Sequence, residues 1–219
     1  VRRLVLAAAL PLAACLFDAR DGATPPIVPL ALDNAWTYAE STFQDGVLTE
    51  TWSSETSITA KRALEGGPTV FVQNTRNRFT LAPGPYSVYV NNVGASHYTY
   101  GAEEHGVSVR HETLHLKWPA KRGERYLTQF VGVDTLSAEP VLDTLEIEVV
   151  NPDTACATLA GTFACVHYRG YRLDGSVYAD TWYAPGVGYL GSEVRRFVQR
   201  DGGLRESRHV KKLTSYTLH

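Results

Sequence analysis

Residues Phe163–Leu218 read FACVHYRGYRLDGSVYADTWYAPGVGYLGSEVRRFVQRDGGLRESRHVKKLTSYTL. Runs rich in Val, Tyr, Phe and Thr alternate here with turn residues. Asp174-Gly175 separates Phe163–Leu173 from Val177–Tyr183. Pro185-Gly186 leads into Val187–Gln199, and Asp201-Gly202-Gly203 leads into Leu204–Leu218. Asp-Gly suits a two-residue hairpin because both central positions accept positive φ. Pro followed by Gly suits a type II turn. Three such turns in series predict a four-stranded antiparallel meander. The first turn predicts Tyr171 opposite Tyr178, an aromatic cross-strand pair.

The same grammar runs upstream. Asp45-Gly46 separates Trp36–Gln44 from Val47–Ala60. Glu65-Gly66-Gly67-Pro68 precedes Thr69–Leu81, and Pro83-Gly84-Pro85 precedes Tyr86–Asn91. His97–Tyr100, Val107–Trp118, Tyr126–Leu136 and Thr144–Val150 follow. No stretch sustains helical periodicity for long. The chain has 22 Val, 21 Thr and 12 Tyr among 219 residues and no Met, a composition that favours strands. With 44% hydrophobic and 20% charged residues it can bury a core. A formal charge of −2 argues against a nucleic-acid partner. The expected fold is all-β: one curved antiparallel sheet, a half-barrel-like meander over residues 27–219, with a β-sandwich as the alternative.

The first residues carry an address. Arg2 and Arg3 form a positive start, and Leu4–Leu10 an apolar run too short to span a bilayer. Leu12-Ala13-Ala14-Cys15 then resembles the bacterial lipobox, in which the Cys becomes the lipid-modified first residue. Residues 1–14 therefore read as a lipoprotein signal peptide with its helix. Residues 15–26 read as a lipidated Cys followed by a flexible Gly/Pro-containing tether. Several acyl chains on one Cys anchor stably, where one chain binds marginally. Leu16, rather than Asp, follows the Cys and favours the outer membrane, facing the periplasm.

Cys156 and Cys165 flank Ala160-Gly161. A two-residue turn there would pair Leu159 with Thr162 and set Cys156 opposite Cys165, close enough for a disulfide. Export permits oxidation. Reduced thiols and redox chemistry are the alternatives, although the C-x-x-C spacing is absent. The short loop implies a modest stabilisation.

His111-Glu112-Thr113-Leu114-His115 matches H-E-x-x-H, the helical zinc-protease motif. Val107, Val109 and Thr113 favour a strand instead, and Trp118-Pro119 would stop a helix. Strand residues four apart stand about 13 Å from each other, too far to share one metal. The expectation is two His on one strand face, with a zinc metallohydrolase on His111, Glu112 and His115 as the alternative. No G-x-S-x-G elbow, P-loop or dinucleotide fingerprint is present, so neither a catalytic residue nor a cofactor is expected. Glu103-Glu104 reads as a solvated loop pair. The aromatic residues Tyr86, Tyr89, Tyr98, Tyr100, Tyr168, Tyr171, Trp182 and Tyr183 read as packing, or as a sugar- or lipid-facing surface.

Several segments resemble the TapB-like group of uncharacterised bacterial envelope lipoproteins. They are Pro29–Tyr38 (PLALDNAWTY), Leu114–Tyr126 (LHLKWPAKRGERY), Thr158–Phe163 (TLAGTF), Thr181–Tyr189 (TWYAPGVGY) and Lys212–Tyr216 (KLTSY). Leu159 stands where the family usually has Pro. The resemblance implies a curved antiparallel sheet related to the half-barrels of lipoprotein carriers. It places His111–His115 at the start of a strand and brings no catalytic residue. It also implies architectural roles for Trp36, Gly161, Trp182, Pro185, Gly186 and Gly188. The functional expectation is a non-enzymatic, lipid-anchored envelope protein. Its partners would be the membrane and either an apolar ligand or an envelope protein.

Overall fold

A computed structural model describes residues 24–76, 86–104, 107–133, 140–200 and 203–219. The expected signal peptide and Cys15 lie outside the described residues. Twelve strands follow in chain order: β1 (Ala35–Gln44), β2 (Val47–Ala63), β3 (Thr69–Arg76), β4 (Tyr86–Val93), β5 (Ser96–Glu104), β6 (Val107–Leu116), β7 (Arg125–Val133), β8 (Pro140–Thr158), β9 (Gly161–Arg172), β10 (Val177–Ala184), β11 (Gly188–Arg200) and β12 (Gly203–Thr217).

They make one sheet ordered β6-β5-β4-β3-β2-β1-β12-β11-β10-β9-β8-β7. The first and last strands pair at its centre, Trp36 opposite Tyr216. Two antiparallel meanders run outward from that pair. The sheet curls until its edges, β6 and β7, meet. The result is an almost closed barrel, which extends the expected half-barrel and replaces the sandwich alternative. Register shifts leave extra residues in β2, β4, β5, β6, β8, β10, β11 and β12, bulges that bend strands and deepen twist.

The β6–β7 seam is clasped by side chains. Gln129 N donates to Thr113 Oγ1 at 3.2 Å, and His111 Nε2 lies 2.5 Å from Gln129 Oε1. Tyr126 Oη donates to His115 O at 3.1 Å and accepts from Lys117 N at 3.3 Å. Edge strands expose backbone groups that invite foreign strands, and facing the two edges at each other covers both.

The segment before β1 closes one end of the barrel. Trp118 Nε1 donates to Pro25 O, Gly186 N to Pro26 O, and Ile27 N to Ala95 O. Asn92 Nδ2 donates to Val28 O, and Asp33 N to Ile58 O. Docking thus begins at Pro25, two residues before the expected start of the domain. Ile27 is fully buried and heads a core cluster with Val28, Leu145, Ile147, Val149 and Tyr168. A second cluster gathers Trp36, Tyr38, Ile58, Cys165, Leu190 and Leu213 around the central strands.

Two expected registers differ. Thr158 pairs with Gly161, so the β8–β9 turn is Leu159-Ala160 and Cys156 faces Phe163. Cys165 faces Thr154, and the disulfide Cys156–Cys165 runs diagonally with Cα atoms 6.0 Å apart. The Thr158 hydroxyl accepts from Ala160 N and donates to Gly161 O, which selects this turn over Ala160-Gly161. Tyr171 faces Val177 rather than Tyr178, because a bulge takes up Tyr178. Asp174 accepts from Ser176 N at 2.8 Å, an Asx turn that lengthens the loop.

Candidate functional site

Alternation on β1 sends Trp36, Tyr38 and Glu40 inward. Trp36 Nε1 donates to Val187 O at 2.7 Å, and Tyr38 Oη donates to Tyr189 O at 3.3 Å. These bonds hold β11 against the central strands and frame a lumen. A cavity of about 280 Å³ occupies it, with residues from β1 through β7 and from β10 to β12 in its wall. Trp36, Tyr86, Val88 and Val90 give it apolar surface, and Thr56, Gln73 and His97 give it polar groups. A second chamber of about 220 Å³ adjoins it, walled by Leu116, Leu145, Ile147 and Tyr168. Pockets of this kind, mostly apolar with a few placed polar groups, suit small molecules.

One charged cluster sits in this interior. The Glu40 carboxylate is 5% exposed, with Lys211 Nζ at 3.1 Å and His209 Nε2 at 2.8 Å. Burial works to raise the Glu40 carboxyl, but His209, Lys211 and Ser54 outweigh it and bring it down to about 2. The Lys211 ammonium lies 4.5 Å from the centre of the Tyr38 ring. Tyr38 is pushed well above the usual phenol range by burial and by Tyr189, Tyr183 and Glu40. The His209 ring stacks on Trp52 at 5.3 Å.

The H-E-x-x-H segment lies on β6, a strand, so a helical i, i+4 ligand face does not form. Its two imidazoles also have different partners. Register shifts at Thr99/Gly101 and His97/Tyr98 break the alternation between them. His111 turns to Gln129 at the seam, whereas His115 enters the lumen. The helical ligand face on which the zinc alternative rests is therefore absent. Among the described residues no group of three or more His, Cys, Asp and Glu side chains could hold a metal ion. The motif begins at the middle of the strand rather than at its start.

Glu103 also departs from expectation. It lies within β5, accepts from Tyr89 Oη at 2.6 Å and pairs with Arg62 at 3.3 Å. Tyr89, Tyr100, Tyr168 and Tyr183 are buried, and Tyr86 and Tyr183 reach the cavity wall. Trp182 stacks on His167, whose Nε2 lies 2.6 Å from Asp180. Gly186 has φ 76° and presents its N–H to Pro26, so the Pro185-Gly186 turn receives the closing segment. Gly188 faces the Trp36 indole, where an added Cβ would stand 3.4 Å from Nε1. Gly161, at φ 137°, opens β9.

Sequence reading missed Lys211, His97, Phe130 and Tyr189 as lumen residues, and Glu40 as the buried partner of Lys211. One signal was present: Glu40 stands in phase with Trp36 and Tyr38, a charge at a core position. The other four become neighbours only when distant strands close.

No family model matches the chain, and no curated protein matches it. Two solved structures resemble it. One is a protein from Bacteroides fragilis described as exported, with a YmcC-like fold. It superposes with a TM-score of 0.48 at 12% identity, over 90% of this chain and 100% of that one. The other, from Parabacteroides distasonis, is described as a lipoprotein. It gives a TM-score of 0.45 at 11% identity, over 89% and 99%.

Proposed function

We propose that this protein is a lipid-anchored binding protein of the bacterial cell envelope, of the TapB-like kind. It is held through Cys15 at the outer membrane, facing the periplasm, and takes an apolar envelope-derived ligand into its barrel. The observation that carries the reading is the pair of adjoining chambers inside the sheet, walled largely by aromatic and aliphatic side chains. A core evolved only for packing closes such space, because empty volume costs stability. The role is binding rather than catalysis. Lys211, the one ammonium among the described residues lining the chambers, is engaged with Glu40. The lipobox-like start and the position of Leu16 support the address.

Native mass spectrometry tests this directly. The sample is the mature chain carrying Cys15→Ser, exported to a periplasm behind a conventional signal peptide. A bound apolar adduct released on activation is the expected result. A bare mass, unchanged after incubation with envelope lipid extract, would overturn ligand binding and favour a role in envelope assembly through a partner protein.

A further inference from the structure

The two chambers share four residues: His115, Phe130, Tyr183 and Tyr189. They form a waist. On one side the wall includes Thr56, Gln73, Thr75 and His97. On the other it includes Leu116, Leu145, Ile147 and Tyr168. The waist is therefore a boundary between a mixed chamber and a more apolar one.

His115 is the polar member of the waist. It stands at a bulge, with Leu114 facing Tyr98 and Leu116 facing His97, so that no residue of β5 lies opposite it. Bulges re-aim side chains, and this one turns the imidazole into the lumen. Its ring packs edge-on to Phe130 at 5.2 Å and to His97 at 6.0 Å. Its Nδ1 is buried and has no hydrogen-bond partner. An orphan of this kind is costly and rare in native proteins.

The surroundings limit what could pair with it. Asn92 Nδ2 donates to Val28 O, so Asn92 Oδ1 accepts from His97 Nδ1 at 3.1 Å. His97 Nε2 is then an acceptor. Burial holds His97 down to about 3, helped by His115, and holds His115 down to about 4. The Lys211 ammonium is already paired with Glu40. An incoming carboxylate or phosphate would lose its water and meet no free cation among the described residues lining the chambers, a large desolvation cost. A plain alkane would leave Nδ1 orphaned. A molecule with an apolar tail and an uncharged hydroxyl or amide meets both demands.

We infer that the ligand is an uncharged amphiphile whose hydroxyl or amide hydrogen-bonds His115 Nδ1 at the waist, with its tail in the chamber beyond Leu116. This rests on the lumen-binding reading and names the ligand class for it. The tail lies against Phe130, Tyr183 and Tyr189, and the head faces the Thr- and Gln-bearing chamber.

The test compares three probes with one alkyl chain: 1-dodecanol, laurate and dodecyl phosphate. Each is titrated by calorimetry at pH 7.5 into the mature chain carrying Cys15→Ser. Dodecanol is expected to bind at least about tenfold more tightly than either anion, the ratio that one buried hydrogen bond and an avoided desolvation support. His115→Leu should weaken dodecanol by roughly tenfold and leave the anions unchanged, and His115→Gln should restore part of the loss. Equal or tighter binding of laurate or dodecyl phosphate to the unaltered waist would overturn the assignment, whether or not the variants fold. Unchanged dodecanol binding in a folded His115→Leu protein would overturn it too. Failure of all three probes would bring down the lumen-binding reading itself.

Discussion

At Gly191 an added Cβ would stand 2.2 Å from Lys211 O, with φ at 156°. That carbonyl belongs to the residue whose ammonium meets Glu40. A side chain there would push β11 from β12 at the point where Tyr189 and Lys211 enter the lumen. Gly191→Ala is expected to cost at least about 2 kcal/mol, read as a lower denaturant midpoint with an unchanged slope. Gly175 separates backbone conformation from crowding. It has φ 83° and nothing within 4 Å of an added Cβ. Gly175→Asn should cost about 1 kcal/mol or less, because Asn tolerates the left-handed region. Equal losses at the two sites would contradict the close approach assigned to Gly191.

At the scale of elements, the seam between β6 and β7 differs from every other junction in the barrel. Eleven junctions are ladders, and this one rests on side chains reaching across. Tyr126 carries two of these bonds, one given to His115 O and one received from Lys117 N. Burial raises its phenol far above the ordinary range, so it stays protonated and able to donate. Tyr126→Phe removes both bonds and leaves a carbonyl and an amide to find water. The expected loss is about 1–3 kcal/mol. Hydrogen exchange should quicken in β6 and β7 while β1 and β12 keep their protection. Uniform quickening along the sheet would mean that the seam is not a separate weak junction. The β8–β9 hairpin teaches a related lesson about local reading. Gly161 invited a turn at Ala160-Gly161, but the Thr158 hydroxyl bonds both sides of a turn one residue earlier.

For the whole molecule, acid is the natural probe. His97 and His115 have folded values of about 3 and about 4, against about 6.5 in an unfolded chain. Between those limits the unfolded state binds more protons, so stability rises with pH there and is lost as pH falls. The loss begins below about pH 6.5 and continues towards pH 4. It should amount to a few kcal/mol, on the order of 1.4 kcal/mol per pH unit for each imidazole. Glu40 adds to it only at more acid pH, between about 4.5 and about 2. Thermal melts from pH 7.5 to pH 4 should show a falling Tm with a slope that His115→Leu makes shallower. A slope unchanged by His115→Leu would mean that this imidazole takes up its proton without opening the fold.

Local chemistry in the chain determined the strands and most of their turns. Asp-Gly and Pro-Gly pairs with period-two runs name neighbouring strands without any knowledge of the rest, and the twelve strands follow that reading closely. The proximity of Cys156 and Cys165 was equally local, since nine residues span one hairpin. Closure was decided elsewhere. No run states that β1 pairs β12, that β6 meets β7, or that residues 24–34 cover one end, because those contacts join parts of the chain far apart in sequence. The bulge that separates His111 from His115 depends on the register of two strands together, so the spacing that mimicked a zinc motif could not reveal it. The lumen belongs to the closed sheet, and its ring of His115, Phe130, Tyr183 and Tyr189 exists only when four strands bring it together.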